Sequence, residues 1–381
     1  MPFAAALSEH PLPTHAVGEV VGEVLEALGP APDVALLFIG SAHTGAVEDI
    51  TGAVRSLLGP RVFVGCTAGT VIGAEREVED LPSLSLWAAR LPLAAAHHLE
   101  ARPSPDGWRA AGLPDRDALA GVDALVVLSD PFSFPIVELL DDLQARVAPG
   151  VPLVGGQASA ALGPGGSRLV VDGEVHTSGA VAVTLGGVDV DTLVSQGCRP
   201  IGEPMVVTRG RGSLIEELAG RRALERVQET VGALAPDDAQ RARQGLHVGR
   251  VIDERKAVYE RGDFLVRGLR GADRRTGAIA VDDDLEIGAT VQLQVRDADA
   301  AHEDLAHLLA GRRADTALVF TCNGRGTHLF GIEDHDVRLV SDALGRPPVA
   351  GMSCAGELGP IGGRSFLHTF TASVLLLSDR G

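Results

Sequence analysis

The chain has 381 residues, 45% of them hydrophobic and only 3% aromatic. At roughly 100–200 residues per domain it holds two or three domains, with cores of Val, Leu, Ile and Ala. A net charge of −18 repels phosphate backbones and anionic lipid, and few aromatic faces are left for stacking bases, so neither nucleic acid nor a membrane surface is expected as a partner. No apolar run reaches the roughly 18 residues of a membrane span. The start of the chain lacks the basic-then-apolar pattern of a signal peptide. Cys66, Cys198, Cys322 and Cys354 form no CxxC pair, which reads as reduced thiols in a cytoplasmic protein without a disulfide framework or bound metal.

An amphipathic helix is predicted at about 15–28, with Val17, Val20, Val21, Val24 and Leu28 on one face, Thr14 as cap and Gly29-Pro30 as stop. ALLFIGS (35–41) reads as a buried strand, 45–58 as a helix, RVFVG (61–65) as a second strand and GCTAGTVIG (65–73) as a glycine turn. The order recurs. ALVVLS (124–129), a helix near 134–147, VPLVGG (151–156) and the turn GGQASAALG (155–163) form a second copy; ALVFTC (317–322), a helix near 334–344, PVAGMS (348–353) and the turn GMSCAGELGPIG (351–362) form a third. Each spans about 30 residues from strand to glycine, the length of a strand–helix–strand unit. A further strand follows each: LSLWAARL (84–91), GAVAVTL (179–185) and FTASVLLL (370–377).

Between the second and third copies the pattern changes. SLIEEL (213–218) carries a capping box, Ser213 and Glu216, and is expected to open a helix that continues to about 231. GLHVGRVI (245–252), FLVRGL (264–269), GAIAV (277–281) and TVQLQVRD (290–297) read as successive antiparallel strands. The expected fold is α/β: two mixed lobes built from repeated strand–helix–strand–glycine-turn–strand units, the second with extra antiparallel strands. The boundaries are 30–190 for the first, preceded by a helical segment within 1–29, and 191–378 for the second.

Chemistry is sought in the glycine turns, where a ligand can approach the backbone and bond its N–H groups; the bland alternative is tight turning between packed layers. No Walker loop, GxGxxG-to-helix turn, GxSxG elbow or HExxH motif is present. Polar residues gather at the turns. Cys66, Thr67, Arg76 and Glu77 belong to the first, where Arg76 and Glu77 of EREVE (75–79) orient a ligand or pair with each other, or else form a solvated charged loop. Cys322, Asn323, Arg325, Cys354 and Glu357 belong to the third, with Arg267 and His368 as further candidates. Arg325 and Glu357 would clamp the carboxylate and ammonium of an amino acid, or else pair with each other. A cysteine nucleophile among Cys66, Cys322 and Cys354 is the enzymatic alternative; a protein-interaction scaffold is the third.

RVFVGCTAGTVIGAEREVE (61–79) resembles the signature of the FIST N-terminal domain. QGCRPIG (196–202), FLVRGL (264–269), ALVFTCNGRGTHLFG (317–331) and PVAGMSCAGELGPIGG (348–363) resemble the FIST C-terminal domain. The resemblance covers about 30–378. It implies a sensory module for a small ligand, an amino acid or related metabolite, and it carries no established catalytic residue or cofactor. No stretch outside it is long enough for a kinase, coiled coil or F-box, so any output is expected to pass through a separate signalling partner.

Overall fold

The computed structural model describes residues 2–105 and 107–380. It is a mixed α/β protein with two compact units. One takes in the chain up to Val194, Ala306–Leu367 and the chain from Thr371 onward; the other is Ser195–Leu305 with His368–Phe370. The chain leaves the first unit after Val194 and re-enters it at Ala306.

The first unit is three copies of one pattern. Copy one has β1 (Phe3–Ser8), α1 (Pro13–Leu28), β2 (Val34–Gly40), α2 (Val47–Leu58), β3 (Val62–Ala68), the hairpin β4 (Thr70–Gly73) and β5 (Arg76–Glu79), and β6 (Leu84–Ala89). Copy two has β7 (Leu93–Ser104), β8 (Gly107–Ala111), β9 (Ala124–Ser129), α3 (Ile136–Arg146), β10 (Leu153–Gln157), the hairpin β11 (Leu169–Val171) and β12 (Glu174–His176), and β13 (Ala180–Gly186). Copy three opens with β14 (Val188–Gln196). The chain then builds the second unit from β15 (Cys198–Arg211), β16 (Leu214–Leu218), β17 (Arg221–Arg222), α4 (Ala223–Gly232), α5 (Pro236–Gln244), β18 (Leu246–Val251), β19 (Phe264–Ala272), β20 (Ile279–Val281) and β21 (Thr290–Arg296). Helix α6 (Ala298–Leu309) leads back to β22 (Thr316–Cys322), α7 (Thr327–Phe330), α8 (His335–Leu344), β23 (Val349–Cys354), the hairpin β24 (Glu357–Ile361) and β25 (Arg364–His368), and β26 (Thr371–Asp379).

In every copy the two strands flanking the helix, its first and second strands hereafter, pair parallel (β2·β3, β9·β10, β22·β23), and the first of them pairs antiparallel with the copy's last strand (β6, β13, β26). The hairpins, however, leave home. β4 pairs with β23 of copy three, β24 with β10 of copy two, and β11 with β3 of copy one. Each sheet therefore ends in a neighbour's hairpin, and the exchange closes in a cycle. EREVE, read above as loop, is strand β5 because copy three supplies a sheet edge to continue.

Alternation along the strands explains the layers. Leu36, Phe38, Val126, Leu128, Leu318 and Phe320 face one shared core, with the Phe38 and Phe320 rings 6.1 Å apart edge to face. Leu37 and Ile39 instead pack under α1 and α2, and Leu125 and Val127 under α3. Trp87 in the shared core donates its ring N–H to Thr316 Oγ1 at 2.8 Å, which satisfies its polar handle. The predicted helix at 15–28 starts at Pro13; Leu12 stands at the cap position, so Thr14 caps nothing.

The second unit is a closed barrel, in the order β15-β21-β18-β19-β20-β16 with β16 returning to β15. The antiparallel run is as expected. SLIEEL is not the start of a helix: it is β16, pairing Leu214 with Ala280 and Ile215 with Ile279. Ile215 and Leu218 belong to the barrel core, and the helix begins only at Ala223. A serine three residues before a glutamate fits a cap and a strand equally well, and here the open edges of β15 and β20 claim the segment.

Candidate functional site

The repeated glycines Gly65, Gly155 and Gly351 do not turn the chain. Each lies inside a second strand, in register with Leu37, Val127 and Val319 of the parallel first strand. A Cβ there would meet the facing carbonyl oxygen at 2.3, 2.1 and 1.8 Å. These glycines let two parallel strands approach, which is the packing role and not the ligand-facing one. The turns proper come three to four residues later, and those of copies one and two meet at Ser353 on β23 of copy three. Gly69 N–H donates to Ser159 Oγ (2.9 Å), Ser159 Oγ donates to the Ser353 carbonyl (2.6 Å), and Thr70 N–H donates to Ser353 Oγ (3.1 Å).

Beside this junction is a cavity of about 300 Å³. Gly69, Thr70, Ser159 and Ser353 wall one part, Glu77, Glu79 and Asp80 of the exchanged hairpin another, and Thr321, Cys322, Asn323, Arg325, Gly326 and His328 of copy three the rest. The hairpin is clipped over copy three by its carboxylates. Val337 N–H donates to Glu77 Oε1 (2.7 Å), and Thr327 donates its N–H to Glu79 Oε1 (2.8 Å) and its hydroxyl to Glu79 Oε2 (2.5 Å). In return Glu77 N–H donates to Asp334 Oδ1 (2.8 Å). Gly326, at φ 58°, is required at the clip, since a Cβ would sit 2.3 Å from Glu79 Oε1.

Arg325 is 2% exposed. Its Nε and Nη2 donate to Asp336 at 2.6 and 2.9 Å, a bidentate pair, and Nη1 has no partner. Burial opposes ionisation of Asp336, but the Arg325 guanidinium outweighs it and holds the carboxyl at about 2. Glu77 goes the other way. Burial, reinforced by the neighbouring Asp336 charge, pushes its carboxyl up to about 8. The Arg325 guanidinium lies 5.2 Å from the centre of the Phe330 ring, on which the His335 ring stacks.

The sequence-derived candidates separate. Cys322, Asn323, Arg325 and Glu77 line the cavity. Glu357 does not pair with Arg325. Its Oε2 accepts the Thr371 N–H (3.1 Å) and hydroxyl (2.8 Å), the Cys322 thiol also bonds it, and burial first of all raises its carboxyl to about 8. The arginine's partner is Asp336 instead. Cys354 and Cys66 are buried in the shared core, Cys66 against Met352, and burial pushes both thiols up. Thr67 accepts the Arg168 N–H at 3.1 Å and so anchors the copy-two hairpin. Arg76 does not pair with Glu77; it is exposed and bridges Glu9 (3.4 Å) and Asp334 (3.3 Å). Arg267 lies on β19 of the barrel unit, ion-paired with Asp283 at 3.5 Å, and buried His368 belongs to that same unit. Ser159, Ser353, Glu79, Asp80 and Asp336 were not singled out from sequence. Only Asp336 leaves a trace there: an aspartate on the apolar face of a helix, beside Val337 and Val340.

The FIST N domain model matches residues 33–221 and the FIST C domain model residues 223–360. The chain belongs to the FIST family. FIST domains are sensory-type domains. An uncharacterized protein of Mycobacterium tuberculosis strain H37Rv is 41% identical over 387 residues, covering 100% of both chains. An uncharacterized protein of Mycobacterium bovis is 42% identical over 370 residues, 95% of each. The division between the two FIST models falls at the start of α4, inside the barrel-bearing unit. Among the described residues of this FIST protein no helix is long and apolar enough to cross a membrane.

Proposed function

We propose that this FIST protein is a sensor that binds a small polar ligand, an amino acid or related metabolite, in the cavity between the copy-one hairpin and copy three. A separate partner would read the occupied state. The observation that carries the reading is the pair of buried ionisable side chains on the cavity wall, Arg325 and Glu77, each with hydrogen-bonding capacity unspent on protein. Such groups are costly to bury without a partner, and a ligand's polar atoms would supply it. Chemistry at Cys66 or Cys354 is less well supported, because burial keeps both as thiols, and the Cys322 thiol on the cavity wall is bonded to Glu357. An occupant would touch Glu77 and Glu79, the clip that joins one copy to the helices of another, so occupancy bears on how the copies are held together.

The test is a thermal-shift screen of the full chain against amino acids and related metabolites. Saturation at about 100 times the Kd is worth about 2.7 kcal/mol, a rise of roughly 3 °C for a chain of this length. Asn323→Ala, at an exposed wall residue, is expected to shrink that rise while leaving the unliganded Tm within about 1 °C. A panel in which no compound raises the Tm would sink the reading.

A further inference from the structure

We propose that the occupant of this cavity is a basic amino acid, or a compound carrying the same groups: one carboxylate and two separated cationic nitrogens. The inference rests on the ligand-binding reading above and narrows it.

The charges on the wall do not balance. With Glu77 protonated, Glu79 and Asp80 still face a single guanidinium, that of Arg325. That guanidinium is already matched by Asp336, which is itself fully buried. An acidic occupant would add to the surplus, and a neutral one would leave it standing in a confined space of low dielectric.

The two buried groups set the order of contacts. Arg325 Nη1 lacks an acceptor, and a carboxylate provides the strongest one. Glu77 spends Oε1 on the Val337 N–H. Its Oε2 borders Gly326 on the cavity wall, 3.7 Å from where a Cβ on that glycine would lie, and calls for a donor such as an α-ammonium. One carboxylate and one ammonium leave Glu79 and the exposed Asp80 uncompensated, so a second cation is needed toward the exposed side. A metal ion does not answer: among the described residues no three His, Cys, Asp or Glu side chains converge to hold one. The cation must be spread along an organic chain, and about 300 Å³ is at the small end of ligand pockets, roughly 300–1,000 Å³.

Binding is coupled to protons. Burial holds the Glu77 carboxyl protonated near neutral pH, and an ammonium docking on it favours the carboxylate, so the Glu77 proton leaves to solvent as the ligand enters.

Isothermal titration calorimetry of the full chain with L-arginine, L-lysine, L-leucine and L-glutamate, each in two buffers of different ionisation enthalpy near pH 7, tests this. Arginine or lysine is expected to bind at least about 10-fold more tightly than leucine or glutamate, a difference of about 1.4 kcal/mol, with heats that differ between buffers as proton release requires. Glu77→Gln is expected to abolish the buffer dependence. Asp80→Asn changes an exposed residue at φ 54°, a conformation asparagine tolerates; it is expected to weaken the basic ligands about threefold or more and leave leucine unchanged. Tighter binding of glutamate or leucine, or equal heats in the two buffers with a basic ligand bound, would overturn this inference and leave the ligand-binding reading standing. Failure of all four to bind would overturn it too, while a hit elsewhere in the wider thermal-shift panel would still preserve that reading.

Discussion

Glu77 and Glu357 are carboxyls whose burial raises them to about 8 from an ordinary 4.5. The folded chain therefore keeps two protons that the unfolded chain sheds in mild acid. Where the folded state binds more protons, stability falls as pH rises, so both contributions are lost across the window from about pH 4.5 to 8. Asp336, held at about 2 by Arg325, has the opposite sign and costs stability only as pH drops below about 4. His247, lowered by burial to about 4, works the other way below about pH 6.5, so the Tm of the unliganded chain is expected to decline between about pH 6.5 and 8.5. The double variant Glu77→Gln, Glu357→Gln should flatten that decline, because glutamine retains an oxygen for Val337 and for Thr371 but has no proton to lose. An unchanged slope in the double variant, by differential scanning fluorimetry, would show that other groups set it.

Among the elements, the paired first and second strands are the least forgiving. Gly351→Ala would drive a methyl to within 1.8 Å of the Val319 oxygen and 2.7 Å of its carbonyl carbon. Both are backbone atoms held by the β22·β23 pairing, so relief requires separating the strands. A loss of at least about 3 kcal/mol is expected, measured by urea unfolding, and a similar loss for Gly65→Ala and Gly155→Ala. Gly18 gives the contrast. It is exposed within α1 with nothing within 4 Å of its would-be Cβ, and Gly18→Ala should stabilise by about 0.5–1 kcal/mol. A Gly351→Ala loss below about 1 kcal/mol would mean that the close strand approach is not obligatory. The element that sequence reading missed altogether is the exchanged hairpin. β4 and β5 are four residues each, shorter than a periodic pattern needs, and their partner β23 lies far along the chain in another copy.

In the whole molecule, the hairpin cycle makes the three copies interdependent, since none can leave without stripping a strand from each neighbour. The barrel is different. Its larger core cluster runs from Ile201 to Val295, a smaller one around Phe264 takes in Cys198 and is covered by Phe370, and the two ends of the segment lie together, with Gln196 N–H donating to Asp304 Oδ2 at 2.9 Å. That is the layout of an inserted domain. A fragment of residues 195–305 is expected to fold alone with a single cooperative thermal transition by circular dichroism. A fragment that stays disordered would show that the barrel depends on the rest of the chain.

The sequence alone determined the α/β class, the threefold recurrence of strand, helix, strand and glycine, and the run of antiparallel strands, because burial periodicity and glycine spacing are local properties. It also drew attention to Cys322, Asn323, Arg325 and Glu77, which line the cavity, since polar residues at strand ends break the apolar pattern. Only the tertiary structure decided what those residues meet. Arg325 found Asp336 rather than Glu357, the repeated glycines proved to serve strand approach, and the cavity was completed by Glu79, Asp80, Ser159 and Ser353 from distant strands and turns. The physical reason is the hairpin exchange. Backbone edges pair with whichever strand the fold brings alongside, and side-chain spacing along one segment does not say which copy will supply it.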